Sequence, residues 1–244
     1  MKECICFLAR FPSQTLLDIA ADVAKCASNI RVTIMCDDAP PSSMVPPAGV
    51  ELLHMSKNAA IGLGYYQASH PCSPFACTAW DKALCIFARD TEQDYVWFIE
   101  DDVFIPSAQH LISMIESSHK AGAGYVSSHS NENFDGDLGW HWALMARNNI
   151  PLPWYGGLAV IAGMCRTVLD GIKEYADEHK QLLYIEVMFN TIAMQKGVKV
   201  FHPPEITHLS YNGKHNDIPQ IPKSGEFFHP IKDPRIYTEL YQFS

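Results

Sequence analysis

The sequence predicts an α/β fold built on a mixed, mainly parallel sheet flanked by helices, and three features predict it. Apolar, β-prone runs at Glu3–Ala9, Ile30–Cys36 and Val50–His54 read as strands, and a segment with helical spacing separates the first two. Tyr95-Val96-Trp97-Phe98-Ile99 is a short unbroken apolar run, the pattern of a strand buried on both faces. That run passes directly into Glu100-Asp101-Asp102. Open α/β sheets bind ligands at the carboxyl ends of their strands. Three adjacent acids framed by apolar residues are costly unless a cation meets them, so the cluster predicts a divalent metal. Solvated loop acids, the ordinary reading of a charge run, fit less well, because Val103-Phe104-Ile105 resumes the apolar pattern at once.

Bulk properties narrow the classes. The chain has 244 residues, 48% hydrophobic and 18% charged, enough for a substantial core and for one large domain. A single domain is expected, in two halves over 1–105 and 106–210 with a C-terminal tail over 211–244. The net charge of -9 argues against nucleic acid as a partner, which calls for a basic face. Of the eight cysteines, Cys4, Cys6 and Cys36 lie in strand-like runs and Cys26 and Cys85 in helix-like ones. Buried free thiols suit that pattern better than a disulfide frame. The N-terminus enters a strand without a signal-type apolar core, and no run approaches the ~18 apolar residues of a membrane helix. A soluble cytoplasmic protein is expected, although a chain trimmed of a membrane anchor would read the same way.

In order, Ser13 can cap a helix carrying Leu16, Ile19, Ala20, Val23 and Ala27. The strand–helix–strand order then predicts right-handed parallel crossovers. Ala39 to Ala48 holds four prolines and reads as a loop, and residues 55–76 read as irregular. Thr78 to Arg89 reads as a helix with Trp80, Leu84 and Phe87 inward and Asp81 and Lys82 on or near the other side. Ser107 caps a helix bearing Leu111, Met114 and Ile115, and a strand is expected within Gly122–His129. Arg166 to His179 and Tyr184 to Lys196 read as helices, and Gly197 closes the second. Val198–Phe201 reads as a strand, followed by a polar, proline-bearing tail.

The Glu100-Asp101-Asp102 cluster, placed after an N-terminal nucleotide-fold half, resembles the acidic metal motif of GT-A-fold glycosyltransferases, usually written Asp-x-Asp. The resemblance implies a sugar transfer from a nucleotide-diphosphate sugar, UDP-linked, to an acceptor hydroxyl, with inversion. It implies Mn²⁺ or Mg²⁺ as cofactor and a glycan or other hydroxyl acceptor as partner. Asp102 would ligate the metal, Asp101 would assist through water or the ribose, and Glu100 would face the ribose. Asp37 and Asp38 at the tip of the second strand would meet the base or ribose. Arg10, just past the first strand, suits a base or phosphate contact. Asp81 and Lys82 would lie near the ribose or diphosphate, and Gly156-Gly157 would admit the donor sugar, with Trp154 and Tyr155 available to stack on a sugar ring and Trp140 and Trp142 to do the same for an acceptor.

Glu186 opens the helix at 184–196, where the resemblance places a general base, and its apolar flanks suit a raised pKa. The plainer role of such an acid is to complement the helix dipole. By the same resemblance His208 would take the late metal-ligand position, with His215 the runner-up, and the tail beyond it would close as a lid. Two rival readings are a glycan-binding module on a degenerate transferase fold and a metal-dependent phosphohydrolase. The second lacks a nucleophilic Asp near the N-terminus. Residues 131–137 imitate the start of an EF-hand, but the twelfth position is Trp142.

Overall fold

Strand β1 (Glu3–Ala9) is central: it is buried along its whole length and paired in parallel on both edges. One neighbour is β2 (Arg31–Cys36) and the other is β4 (Tyr95–Glu100). The computed structural model describes residues 1–90, 92–209 and 226–242. Outside β2 lies β3 (Val50–His54), also parallel. On the other side β8 (Ile161–Cys165) runs antiparallel to β4 and to β5 (Tyr125–Val126), and β9 (Val200–Phe201) closes the sheet parallel to β5. The order is β3-β2-β1-β4-β8-β5-β9. A separate antiparallel pair joins β6 (Asn131–Asn133) to β7 (Trp154–Gly156). The expected mixed, mainly parallel sheet is therefore the one observed.

Side-chain alternation divides the core into two layers. Cys4, Cys6, Leu8, Val96 and Phe98 face α3 (Ala79–Arg89), α6 (Arg166–His179) and α7 (Ile185–Gln195). Ile5, Phe7, Ala9, Trp97 and Ile99 face α1 (Gln14–Cys26), α4 (Ala108–Lys120) and α8 (Pro234–Gln242). With both faces covered, the central strands need apolar residues at every position, which is why they read as unbroken runs. Ser13 and Ser107 cap α1 and α4 as expected, accepting from Leu16 and His110 backbone N–H groups at 3.1 and 3.3 Å.

Several elements add to or differ from the sequence expectation. The segment 55–76 contains α2 (Lys57–Gly62), capped by Ser56. The stretch after Trp140 contains α5 (Trp142–Arg147), and the tail ends in α8. Helix α3 lacks the expected polar side: Asp81 is 0% and Lys82 3% exposed. It lies under β1 and β2 on one side and against α6 on the other, so both charges had to find partners inside. Among the described residues, no helix is long and apolar enough to cross a membrane.

Candidate metal centre and active-site cleft

The last residues of β4 leave the sheet in a tight turn. Glu100 N donates to Val160 O at 3.0 Å and Asp101 N to Leu8 O at 3.0 Å, and Val103 N closes on Glu100 O at 3.2 Å. The three acids are thereby held at the carboxyl edge of the sheet. A distant segment then docks on the same turn. Phe104 and Phe228 exchange backbone hydrogen bonds of 2.7 and 3.2 Å, and Ile231 N donates to Asp102 O at 2.7 Å. Between these two attachments sits His229, a buried residue. Its Nε2 lies 3.4 Å from Asp102 Oδ1 and 3.7 Å from Glu100 Oε2. One ligand atom from each of Glu100, Asp102 and His229 falls within 4.8 Å of the others.

Electrostatics at this point are those of crowded acids. Burial, followed by the Asp102 charge, raises Glu100 to about 7, opposed by the hydrogen bond from Trp80 and by His229. The Trp80 Nε1–H donates to Glu100 Oε1 at 2.6 Å and fixes that carboxylate's orientation. Partial desolvation and Asp102 raise Asp101 to about 6, although its side chain stays open to solvent. Two hard oxygen donors and an imidazole, clustered and held from outside, fit a divalent cation with open positions for other ligands.

The cluster forms one wall of a cleft of about 480 Å³ that also receives Arg10, Asp37, Glu186 and Lys232. Glu186 stands in the first turn of α7, buried to 8% exposure, and its pKa is raised by desolvation against a Tyr184 hydrogen bond and the nearby His229. Gly157 N donates to Glu186 O at 2.8 Å. A Cβ at Gly157 would come within 2.1 Å of His129 O, so the close approach that this glycine permits is to protein backbone. Gly156 likewise gives way to the rings of Trp140 and Trp142. The structure thus sets both glycines in packing against protein, and neither lines the cleft as the expected donor-sugar approach requires.

The other expected residues divide. Asp37 reaches the cleft, and Lys82 Nζ bonds both its Oδ1, at 2.6 Å, and its backbone carbonyl. Lys82 therefore acts on the cleft through Asp37. Asp38 turns outward and pairs with Arg10 at 3.0 Å in a solvent-exposed contact. Asp81 does not face the cleft. Its Oδ1 accepts from Ala68 N at 2.8 Å and its Oδ2 from Thr78 N at 2.7 Å, so it caps α3 and anchors the preceding loop. The histidine that meets the acids is His229, not His208. The exposed His208 instead donates from Nε2 to Phe227 O at 2.7 Å. His215 lies outside the described residues.

Sequence reasoning missed His229 and Lys232. A signal was present: Phe227-Phe228-His229-Pro230-Ile231 is an apolar frame around one histidine in an otherwise polar tail. Only a buried histidine needs such a frame.

No family model and no curated protein sequence matches the chain. Among solved structures it is similar to the galactosyltransferase LgtC in complex with donor and acceptor sugar analogs, at 11% identity over 98% of this chain and 95% of that one, with a TM-score of 0.47. It is also similar to the apo form of mouse xyloside xylosyltransferase 1, at 9% identity over 82% and 84% of the two chains, with a TM-score of 0.37.

Proposed function

We propose that this chain is a metal-dependent glycosyltransferase of GT-A type, moving a sugar from a nucleotide-diphosphate sugar, UDP-linked, to an acceptor hydroxyl. The observation that carries the reading is the convergence of Glu100, Asp102 and His229 at the carboxyl edge of the sheet, on a cleft that also holds Glu186. Mn²⁺ or Mg²⁺ held by these three side chains would supply Lewis-acid stabilisation to the departing diphosphate. Trp80 keeps Glu100 aimed at that position. Asp37, fixed by Lys82, and Arg10 line the part of the cleft suited to base and ribose. Lys232, an exposed cation on the cleft wall, offers a second positive contact to the phosphates.

Glu186 serves as the general base. Its raised pKa strengthens it as a proton acceptor, and its place at the head of α7 holds it against the cleft. The acceptor hydroxyl gives its proton to the Glu186 carboxylate and attacks the anomeric carbon, the bond to the diphosphate breaks, and the configuration inverts. Glu186→Gln tests this assignment. It is expected to lower kcat by about 10²–10⁴-fold while leaving UDP affinity intact. Unchanged turnover, or a product of retained anomeric configuration by proton NMR, removes Glu186 from this role. A wild-type chain that binds glycans and turns over no nucleotide sugar is a binding module instead.

A further inference from the structure

The cleft has a second component that the donor reading leaves unused. Tyr184, next to Glu186, lines the cleft and packs against His141 with ring centroids 4.4 Å apart. His141 in turn meets Trp140 at 5.2 Å, so a line of rings runs from the reaction site to the surface. Trp140 at its end is 50% exposed. Phe134 and Leu138 on the same loop are exposed as well.

This exposed tryptophan is held by costly means. Its backbone lies in the left-handed region at φ 48°, unusual for a bulky side chain. Its ring is seated against Trp142 at 5.0 Å, edge to face. That seat requires the absence of a side chain at Gly156, where a Cβ would lie 2.6 Å from Trp140 Cζ3. A loop that needed only solubility would carry a polar residue there. The arrangement instead presents one half-open aromatic ring two ring contacts from Tyr184 on the cleft wall.

We propose that Trp140 forms the acceptor subsite of this cleft, and that the acceptor is a neutral saccharide. The inference rests on the donor reading above and specifies what the transferred sugar is attached to. The C–H face of a pyranose ring is apolar and matches an indole face, while its hydroxyls require polar neighbours. Asn131 and Glu132 lie exposed on β6, the strand that leads into this loop, and His141 adjoins Trp140. Charge selects among saccharides. The segment 130–141 carries Glu132, Asp135 and Asp137 and neither lysine nor arginine. Desolvation lowers the His141 pKa, so that ring adds no cation at neutral pH. Sialylated, sulfated or phosphorylated acceptors meet the repulsion of these carboxylates, and the segment itself carries no cation to offset it. An anionic lipid surface is disfavoured for the same reason.

The test uses the full chain with UDP and Mn²⁺ on an array of neutral, sialylated, sulfated and phosphorylated glycans. Binding is expected on neutral glycans, to weaken about tenfold in Trp140→Ala and to be largely restored in Trp140→Phe, which keeps an aromatic face. Binding confined to acidic glycans, absent from the array, or equal in Trp140→Ala overturns the proposal. UDP affinity with Mn²⁺, measured on the same samples by calorimetry, separates the two readings. Retained metal-dependent UDP binding without Trp140-dependent glycan binding defeats the acceptor subsite alone. Loss of metal-dependent UDP binding in the wild type defeats the donor reading.

Discussion

Lys82→Met removes the ammonium that holds Asp37, and the structure sets the size of the effect. The Lys82 side chain is 4% exposed, and its Nζ bonds Asp37 Oδ1 at 2.6 Å as well as the Asp37 carbonyl. Breaking a buried pair by removing one member typically costs about 3–5 kcal/mol, because the other charge is left uncompensated. The Asp37 side chain is 25% exposed and partly rehydrates, which places the expected loss at the lower end, about 3 kcal/mol. Unfolding entropy of ~2.1 cal/mol/K per residue gives about 0.5 kcal/mol per degree for a chain of this length, hence a fall in Tm of about 6 °C. Methionine fills most of the lysine stem's volume, so little of the loss is a cavity effect. Urea titration and calorimetry of the wild type, Lys82→Met, Asp37→Asn and the double variant measure it. The double variant should recover at least half of the Lys82→Met loss. A single-variant loss below about 0.5 kcal/mol, the level of a surface pair, refutes the claim that this buried contact fixes Asp37.

Two further outcomes follow from the same geometry. Glu100 is raised to about 7 in the folded chain by burial and Asp102, so it binds its proton more tightly folded than unfolded. Its contribution to stability is present below the ordinary glutamate pKa and is lost as pH rises through about 7. Without metal, Tm should therefore fall over that interval, and Mn²⁺ should restore more as pH rises, because metal and proton compete. An identical pH profile in Glu100→Gln by scanning calorimetry refutes this. Separately, Tyr237 OH accepts from Ile105 N at 2.9 Å and donates to Val103 O at 3.0 Å, tying α8 to the turn that carries Asp102. Tyr237→Phe leaves a buried N–H unpaired and should cost about 1–3 kcal/mol in denaturant titration. A loss under half that range means the tie is not retained in solution.

How much was legible in the sequence depended on how local the cause was. Strands β1, β2 and β4 were readable because burial on both faces demands apolar residues along nearly their whole length, and the edge strand β3 by a shorter apolar run. The caps Ser13 and Ser107 were readable because a cap is a short-range hydrogen bond. The acids at 100–102 announced themselves by conflict with their apolar surroundings. Long-range placement was not readable. Asp81 and Lys82 looked like the solvent face of a helix, and only the packing of α3 between the sheet and α6 makes them interior charges. The choice of His229 over His208 depends on a β-bridge between Phe104 and Phe228, far apart in sequence. The glycines at 156 and 157 suggested backbone exposure to ligand, whereas the rings of Trp140 and Trp142 and the carbonyl of His129 occupy that space.

The central claim is that Glu100, Asp102 and His229 hold a divalent cation that in turn holds a nucleoside diphosphate. A crystal grown with UDP and Mn²⁺, measured at a wavelength where manganese scatters anomalously, tests it directly. One strong anomalous peak is expected within coordination distance of Asp102 and His229 and of the UDP phosphates, lost in crystals of Asp102→Asn. Bound UDP without a peak at that position, or a peak away from these side chains, contradicts it.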